Sequence, residues 1–217
     1  MRFQDRHDAG RRLAAWLEGY RDAPDKLVLG IPRGGVVVAY EVARALNAPL
    51  EPFVVRKVGV PGQEELAMGA VTAGGGVVRN ETVLRSLGIG GDVFDQLAKH
   101  ERREAERRAE RYRGGNERLE LRGRTVLLVD DGLATGATMT TAVQFAFQED
   151  AEKTVVAVPV AARITANRLR TLVNEVVCIE ETDELDGIGA WYENFRQTTD
   201  EEVQRLMAEA RARKNSA

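Results

Sequence analysis

Five short apolar runs, rich in valine, recur along this chain, and segments with helical periodicity separate them. Runs that are apolar at nearly every position are typical of strands covered on both faces of a sheet. Parallel strands need long crossover connections, usually helices, so the alternation predicts an α/β fold: an open, mostly parallel, twisted sheet with helices on both faces. The predicted strands are Lys26–Ile31, Pro52–Arg56, Thr125–Asp130, Lys153–Val160 and Glu175–Glu180.

Helical spacing of apolar residues predicts helices around these strands. The segment 94–113 is one charged helix in which Glu interleaves with Arg at helical spacing, which favours intrahelical ion pairs on a solvated face over a nucleic-acid surface. A last helix is predicted to begin after an N-cap at Thr199 or Asp200. The predicted helices are Val36–Leu46, Phe94–Arg113, Thr138–Gln148, Ile164–Val173 and Thr199–Arg213.

Composition limits the function classes. The 217 residues are 43% hydrophobic and 30% charged, with a net charge of −3, so the bulk charge gives no reason to expect nucleic-acid or membrane partners. The single Cys178 lies in an apolar run, where a buried strand residue is a better interpretation than a nucleophile. With only His7 and His100 besides, neither a histidine triad nor a Cys/His metal cluster is expected. The charged N-terminal sequence lacks the apolar core of a signal peptide, and we expect a cytoplasmic protein.

The chain is interpreted as one domain spanning residues 1–217, with a core at about 24–180. Glycines and a proline in segment 59–76 predict a flexible arm or hairpin. Residues 183–198 form a loop or cap that ends in aromatic residues, and with the N-terminal segment they are expected to form a small hood over the core.

The stretch Val126–Thr138 reads V-L-L-V-D-D-G-L-A-T-G-A-T. Ligands of open α/β sheets bind beyond the carboxyl ends of strands, where the two aspartates are expected. The small residues that follow open a helix, and their backbone N–H groups suit a phosphate. The two carboxylates would repel a second phosphate and suit sugar hydroxyls instead, so the stretch predicts a sugar-phosphate site. The alternative is an acidic strand end followed by an ordinary helix.

This stretch resembles the phosphoribosyl-pyrophosphate (PRPP) motif of the type I phosphoribosyltransferases, which combines an apolar strand, two acidic residues and a small-residue phosphate loop. The resemblance implies that Asp130 and Asp131 hold the ribose 2′- and 3′-hydroxyls. It also implies a 5′-phosphate site made by Ala134, Thr135, Gly136, Ala137 and Thr138.

Two further loops follow predicted strands and carry anion-binding features. The sequence P-R-G-G at Arg33, Gly34 and Gly35 opens a helix, and Lys57 follows the second strand beside Arg56. The alternatives are a generic strand–turn–helix corner and a solvated basic pair. In the family, these positions bind pyrophosphate, the first often through a cis peptide. The pattern R-K-x-G-x-P-G before Glu64 and Glu65 also resembles the start of the catalytic arm of adenine-type members.

The resemblance implies transfer of the 5-phosphoribosyl group of PRPP to a nitrogen acceptor, such as a nucleobase, with release of pyrophosphate. Arg33, Lys57, Glu64 and Glu65 are then the candidate catalytic residues. Mg²⁺ is the implied cofactor, near Asp130 and Asp131 and in contact with them directly or through water. Ala134 stands where the 6-oxopurine members have an acid–base aspartate, which disfavours hypoxanthine–guanine chemistry but not adenine-type or orotate-type chemistry.

The acceptor is not named by the sequence. Trp191 and Tyr192 could stack on a base, or they could pack on the core as an aromatic plug. The resemblance implies PRPP and a base as partners, and a homodimer. The alternative function is a non-catalytic PRPP-binding regulator with the same fold.

Overall fold

A computed structural model of the chain describes residues 2–113 and 119–214, apart from the side chains of Glu64, Glu65 and Lys214. The strands are β1 (Leu27–Gly30), β2 (Leu50–Pro52), β3 (Val55–Val60), β4 (Gln63–Thr72), β5 (Val77–Arg79), β6 (Thr125–Val129), β7 (Lys153–Ala162) and β8 (Glu175–Thr182). Within these residues, five strands form a parallel sheet in the order β2–β1–β6–β7–β8. The predicted α/β fold with a mostly parallel sheet is therefore confirmed.

Helices cover both faces of this sheet. The helices are α1 (Arg6–Trp16), α2 (Gly34–Ala45), α3 (Glu81–Ser86), α4 (Gly91–Arg113), α5 (Ala137–Gln148), α6 (Arg163–Arg170) and α7 (Asp200–Lys214). Of these, α3 packs on β4 rather than on this sheet. Side chains of β6 alternate between the two faces: Leu127 and Val129 pack with α1, α2 and α7, whereas Val126 and Leu128 pack with α5 and α6. Both faces of β6 are therefore buried, which explains why the central strands β1, β6 and β7 are apolar at nearly every position. Among the described residues, no helix has the length and apolar character that a bilayer crossing needs.

The predicted strand Pro52–Arg56 is wrong. The chain leaves the parallel sheet after Pro52, and Val55 begins β3, which belongs to a separate antiparallel sheet of order β3–β4–β5. Phe53 and Val54 lie between the two strands, yet both are buried. An apolar run indicates burial and does not distinguish a paired strand from a buried connection. The prediction therefore merged the end of β2 and the start of β3 into one strand.

The segment predicted as an arm or hairpin, 59–76, covers most of the β3–β4 hairpin, whose first strand already begins at Val55, and the turn from β4 to β5. Gly62 and Gly75 adopt φ angles of 77° and 89°, which glycine tolerates at turns. Helix α4 packs on this hairpin through Phe94 and Ala98, and its ion pairs include Arg107 with Glu104. All five predicted helices are present, and the backbone N–H of Glu202 donates to Thr199 Oγ1, which makes Thr199 the cap of α7.

Helix α1, which the sequence patterns did not predict, lies directly on α2. A Cβ added at Gly10 would lie 2.7 Å from the carbonyl oxygen of Val38 and 2.8 Å from Cβ of Glu41. The two helix backbones therefore approach as closely as a glycine allows. This approach fixes where the side chains at the start of α1 reach the sheet edge.

We expect Gly10→Ala to lower the free energy of unfolding by about 1–3 kcal/mol, because overpacking against the backbone of α2 outweighs the gain in helix propensity of about 1 kcal/mol. Urea unfolding followed by circular dichroism measures the change. Gly19→Ala is the matched control, since nothing lies within 4 Å of its added Cβ. Equal stability of the two variants would contradict this account of the α1–α2 contact.

Candidate functional site

The loops after β1 and β6 meet at the carboxyl edge of the parallel sheet. The backbone N–H of Ile31 donates to the carbonyl of Val129 over 2.9 Å, so the loop after β1 starts beside the end of β6. The loop after β6 is tied to β7 in turn, because the N–H of Leu133 donates to the carbonyl of Val160 over 2.9 Å. The loops after β1 and β6 therefore lie side by side at one edge of the sheet.

A pair of glycines brings the start of α2 against the two carboxylates. A Cβ added at Gly34 would overlap Asp131 Oδ2, and one added at Gly35 would lie 2.7 Å from Asp130 Oδ1. The first turn of α2 contains no acidic residue. The partial positive charge of a helix N-terminus thus faces Asp130 and Asp131, and it offsets part of the cost of ionising these carboxylates.

Asp130 lies in an environment that disfavours its charged form. Burial, with the adjacent Asp131 carboxylate, raises the pKa of Asp130 well above its ordinary value, and the Arg6 guanidinium opposes this rise. One oxygen of Asp130 accepts a hydrogen bond from the backbone N–H of Asp131 over 2.8 Å. The pair therefore holds two closely spaced carboxylates with unequal surroundings.

Arg6 of α1 forms an ion pair with Asp131, a contact that the sequence analysis missed. Nε of Arg6 donates to Asp131 Oδ2 over 2.7 Å, and Nη1 donates to the carbonyl of Arg196 over 2.8 Å. The guanidinium carbon lies 3.8 Å from the ring centroid of Phe195. Neither α1 nor this pairing across 125 residues leaves a periodic signal in the sequence.

The loop predicted to bind phosphate is held by α6. Thr165 Oγ1 donates to the carbonyl of Ala134 over 2.6 Å, and Nη2 of Arg168 donates to the carbonyl of Thr135 over 2.6 Å. Gly136 caps α5 with a φ of 69°, and a Cβ there would lie 2.5 Å from Thr165 Cγ2. These two carbonyls accept hydrogen bonds from side chains of α6, and the first turn of α5 contains no acidic residue. The N-terminus of α5 is therefore suited to an anion.

A cleft of about 890 Å³ separates this loop from the second sheet. Lys57 lines it from β3, and the exposed residues Thr135 and Thr138 line it from the loop and α5. The neighbouring Arg56 is paired instead with Glu101 of α4, to which its Nε donates over 2.8 Å. The fold therefore brings Lys57, rather than Arg56, to the cleft that the loop and α5 line.

Arg33 lies at the other side of this edge, next to the start of α7. The peptide bond between Pro32 and Arg33 is cis. Nη1 of Arg33 lies 4.0 Å from Oδ1 of Asp200, and Tyr112 donates its hydroxyl to the same oxygen over 2.6 Å. The hydrogen bond from Tyr112 lowers the pKa of Asp200, and nearby arginines, Arg33 among them, lower it further.

The two candidate hood residues differ in exposure. Tyr192 is only 4% exposed, with its ring between those of Phe3 and Phe195, and it donates its hydroxyl to the backbone carbonyl of Asp131 over 2.7 Å. Burial raises the pKa of this phenol, so it remains a donor at neutral pH. The surroundings of Tyr192 favour the aromatic plug over base stacking, whereas Trp191 is half-buried.

The remaining candidate groups are two glutamates of β4, the single cysteine and possible metal ligands. The side chains of Glu64 and Glu65 lie outside the described residues. Burial raises the pKa of Cys178 to about 12, so this thiol stays protonated at neutral pH and is a poor nucleophile. Among the residues that the structure describes, no group of three or more Asp, Glu, His or Cys side chains could hold a metal ion.

Comparison with known proteins identifies relatives along nearly the whole chain. A family model described as "Phosphoribosyl transferase domain" matches residues 3–192. Two proteins of Mycobacterium tuberculosis, from strains CDC 1551 and H37Rv and each named "Putative phosphoribosyl transferase", are 45% identical over 201 residues. Those residues are 93% of this chain but only 45% of each relative, so the chain spans about half the length of these proteins.

A crystal structure of the protein TT1426 from Thermus thermophilus has the same architecture. It superposes with a TM-score of 0.84 at 43% sequence identity, over 96% of this chain and 99% of the other. The fold described above is therefore that of a relative whose structure has been solved.

We expect Arg168→Ala to weaken binding of a phosphate monoester such as ribose 5-phosphate by about tenfold, since the variant loses a charge-assisted hydrogen bond that shapes the loop. Isothermal titration calorimetry measures the affinity. Arg170→Ala removes the same charge from the same helix, where the side chain pairs with Glu181, and should bind as the parent chain does. An equal loss in both variants would point to overall charge rather than to the loop contact.

Proposed function

This chain belongs to the phosphoribosyl transferase family, and from that premise we propose that it transfers the 5-phosphoribosyl group of PRPP to a nitrogen acceptor, releasing pyrophosphate. One observation carries the proposal. The carboxylates of Asp130 and Asp131 and the N-terminus of α5 follow the same strand and lie at one sheet edge. Carboxylates suit hydroxyl donors and helix N-termini suit phosphates, so together they match the two ends of a ribose 5-phosphate.

Asp130 and Asp131 would accept hydrogen bonds from the ribose 2′- and 3′-hydroxyls. The backbone of residues 134–138 would hold the 5′-phosphate, with Thr135 and Thr138 as hydroxyl donors that are exposed to the cleft. Binding at both ends of the sugar would fix the position of C1 relative to the acceptor. Positioning of this kind is a major source of rate enhancement when two reactants must meet.

Pyrophosphate would leave from C1 as the acceptor nitrogen attacks, through a transition state with oxocarbenium character. Lys57 lines the same cleft as Thr135, and its ammonium would stabilise charge that develops on the leaving group. Arg33 and the Gly34–Gly35 backbone are the other candidates for pyrophosphate binding. We infer that Glu64 or Glu65, on β4, takes the proton from the acceptor.

Mg²⁺ fits the carboxylate pair. This ion prefers hard oxygen ligands, keeps several waters and is commonly held by one or two carboxylates together with substrate phosphates. Asp131 Oδ2 already accepts from Arg6 and Asp130 Oδ1 from a backbone N–H, so the other oxygens of the pair would hold the ion directly or through water. When bound, Mg²⁺ offsets the negative charge of the pyrophosphate and ribose oxygens.

Ala134 at the start of the phosphate loop bears on the acceptor. Its methyl group cannot exchange a proton with a base, so the proposed acceptor is one for which a group outside this loop handles the proton. An adenine-type or orotate-type base fits this requirement better than a 6-oxopurine does. The half-buried Trp191 is the hood aromatic proposed to lie near that base.

Asp131→Asn should weaken binding of ribose 5-phosphate by about tenfold or more, because hydrogen bonds to a charged group are the stronger ones. The amide oxygen still accepts from Arg6, so the fold should be retained. Calorimetric titration measures the affinity, and thermal unfolding checks the fold. Asp22→Asn, at an exposed position, is the control. Undiminished affinity in the Asp131 variant would contradict the ribose assignment.

Transfer itself is tested by pyrophosphate release from PRPP and Mg²⁺ with a panel of purine bases, pyrimidine bases and small amines. Release that depends on one acceptor is expected, and Lys57→Ala should lower kcat for that acceptor by about tenfold to a thousandfold. Arg79→Ala, which changes another cation of the same cleft, is the matched control. PRPP binding without release for any acceptor would favour a PRPP-binding regulator instead.

A further inference from the structure

We propose that Arg6 is a positioning residue for phosphoribosyl transfer, and that α1 thereby forms part of the sugar site. The proposal rests on the function proposed above. Arg6 would hold one oxygen of the Asp131 carboxylate, so that the other oxygen is presented to a ribose hydroxyl. The same ion pair would compensate the negative charge of two neighbouring aspartates, which allows both to face the sugar.

The Arg6 side chain has three separate contacts that fix its orientation. Nε donates to Asp131, Nη1 donates to the carbonyl of Arg196, and the guanidinium plane lies over the ring of Phe195. The side chains of Arg6 and Asp131 are only 11% and 17% exposed, which distinguishes this pair from solvated surface pairs. Because the guanidinium contacts a carboxylate, a carbonyl and an aromatic ring, its rotational freedom is small, and it can orient the Asp131 carboxylate.

Asp131 is fixed from its backbone as well. Its carbonyl accepts the hydroxyl of Tyr192 and its N–H donates to Asp130, while Oδ2 accepts from Arg6. Within the described residues, Oδ1 of Asp131 makes no hydrogen bond to the protein. The carboxylate thus combines one oxygen that is held by the protein with one that is available to a hydroxyl donor.

The position of Arg6 depends on elements on both sides of the ion pair. Gly34 has no side chain to block the approach, since a Cβ there would lie 2.6 Å from Nε of Arg6. Gly10, one turn further along α1, sets the helix against α2. The close packing of α1 on α2 therefore carries Arg6 to the carboxyl edge of the sheet.

A double-mutant cycle with ribose 5-phosphate as the calorimetric probe tests the proposal on the full chain. Arg6→Gln should weaken binding by about tenfold. Adding Arg6→Gln to Asp131→Asn should cause little further loss, because a residue that acts through Asp131 has no separate effect. Arg6→Lys keeps the charge without the planar fork and should bind with intermediate affinity. Arg11→Gln, on the exposed side of α1, should bind as the parent chain does.

Three results would overturn the proposal. Unchanged affinity in Arg6→Gln would make the ion pair purely structural, and tighter binding would make Arg6 a competitor of the ribose hydroxyls. Losses that add in the double variant would mean that Arg6 does not act through Asp131. A parent chain that does not bind ribose 5-phosphate would instead reject the proposed function itself. Thermal unfolding of each variant separates loss of binding from loss of fold, and Arg6→Lys keeps the test decisive if Arg6→Gln is unstable.

Discussion

The contact between the start of α2 and the two aspartates after β6 is the constraint on which the rest of the site depends. Gly34 and Gly35 have no side chains, so a helix N-terminus reaches carboxylates that end a buried strand. The partial positive charge of the helix N-terminus offsets part of the free-energy cost of burying these negatively charged side chains. The contact also fixes the distance between the loops after β1 and β6, and with it the room in which any ligand of the two loops must fit.

Around this contact, each wall of the site comes from a different structural layer. Helix α6 shapes the loop before α5, the antiparallel sheet carries Lys57 to the opposite side of the cleft, and α7 presents Asp200 to Arg33. The parallel sheet supplies rigidity, since its central strands β1, β6 and β7 are buried on both faces. The candidate residues therefore come from loops, helices and a strand around the edge of the sheet, where α/β proteins usually bind their ligands.

Much of the fold could be predicted because buried parallel strands have a strongly apolar sequence. Four of the five strands of the parallel sheet were predicted with small boundary errors. The prediction at Pro52–Arg56 was wrong because Phe53 and Val54 are buried although they belong to neither strand. Helix α1 carries little apolar periodicity, because three of its four buried residues are Ala9, Gly10 and Ala14. The contacts of Arg6 with Asp131 and of Arg168 with Thr135 could not be predicted from local sequence patterns, because the two residues of each pair lie far apart along the chain.

Residues 3–6 and residues 191–196 meet beside Asp131, as when the N–H of Phe3 bonds to the carbonyl of Trp191 over 2.8 Å. Contacts between segments separated by about 190 residues raise the contact order and form only after a costly loop closure. Residues 125–138 are synthesised before the partner segment at 191–196. The arrangement around Asp131 is therefore complete only when this later segment docks.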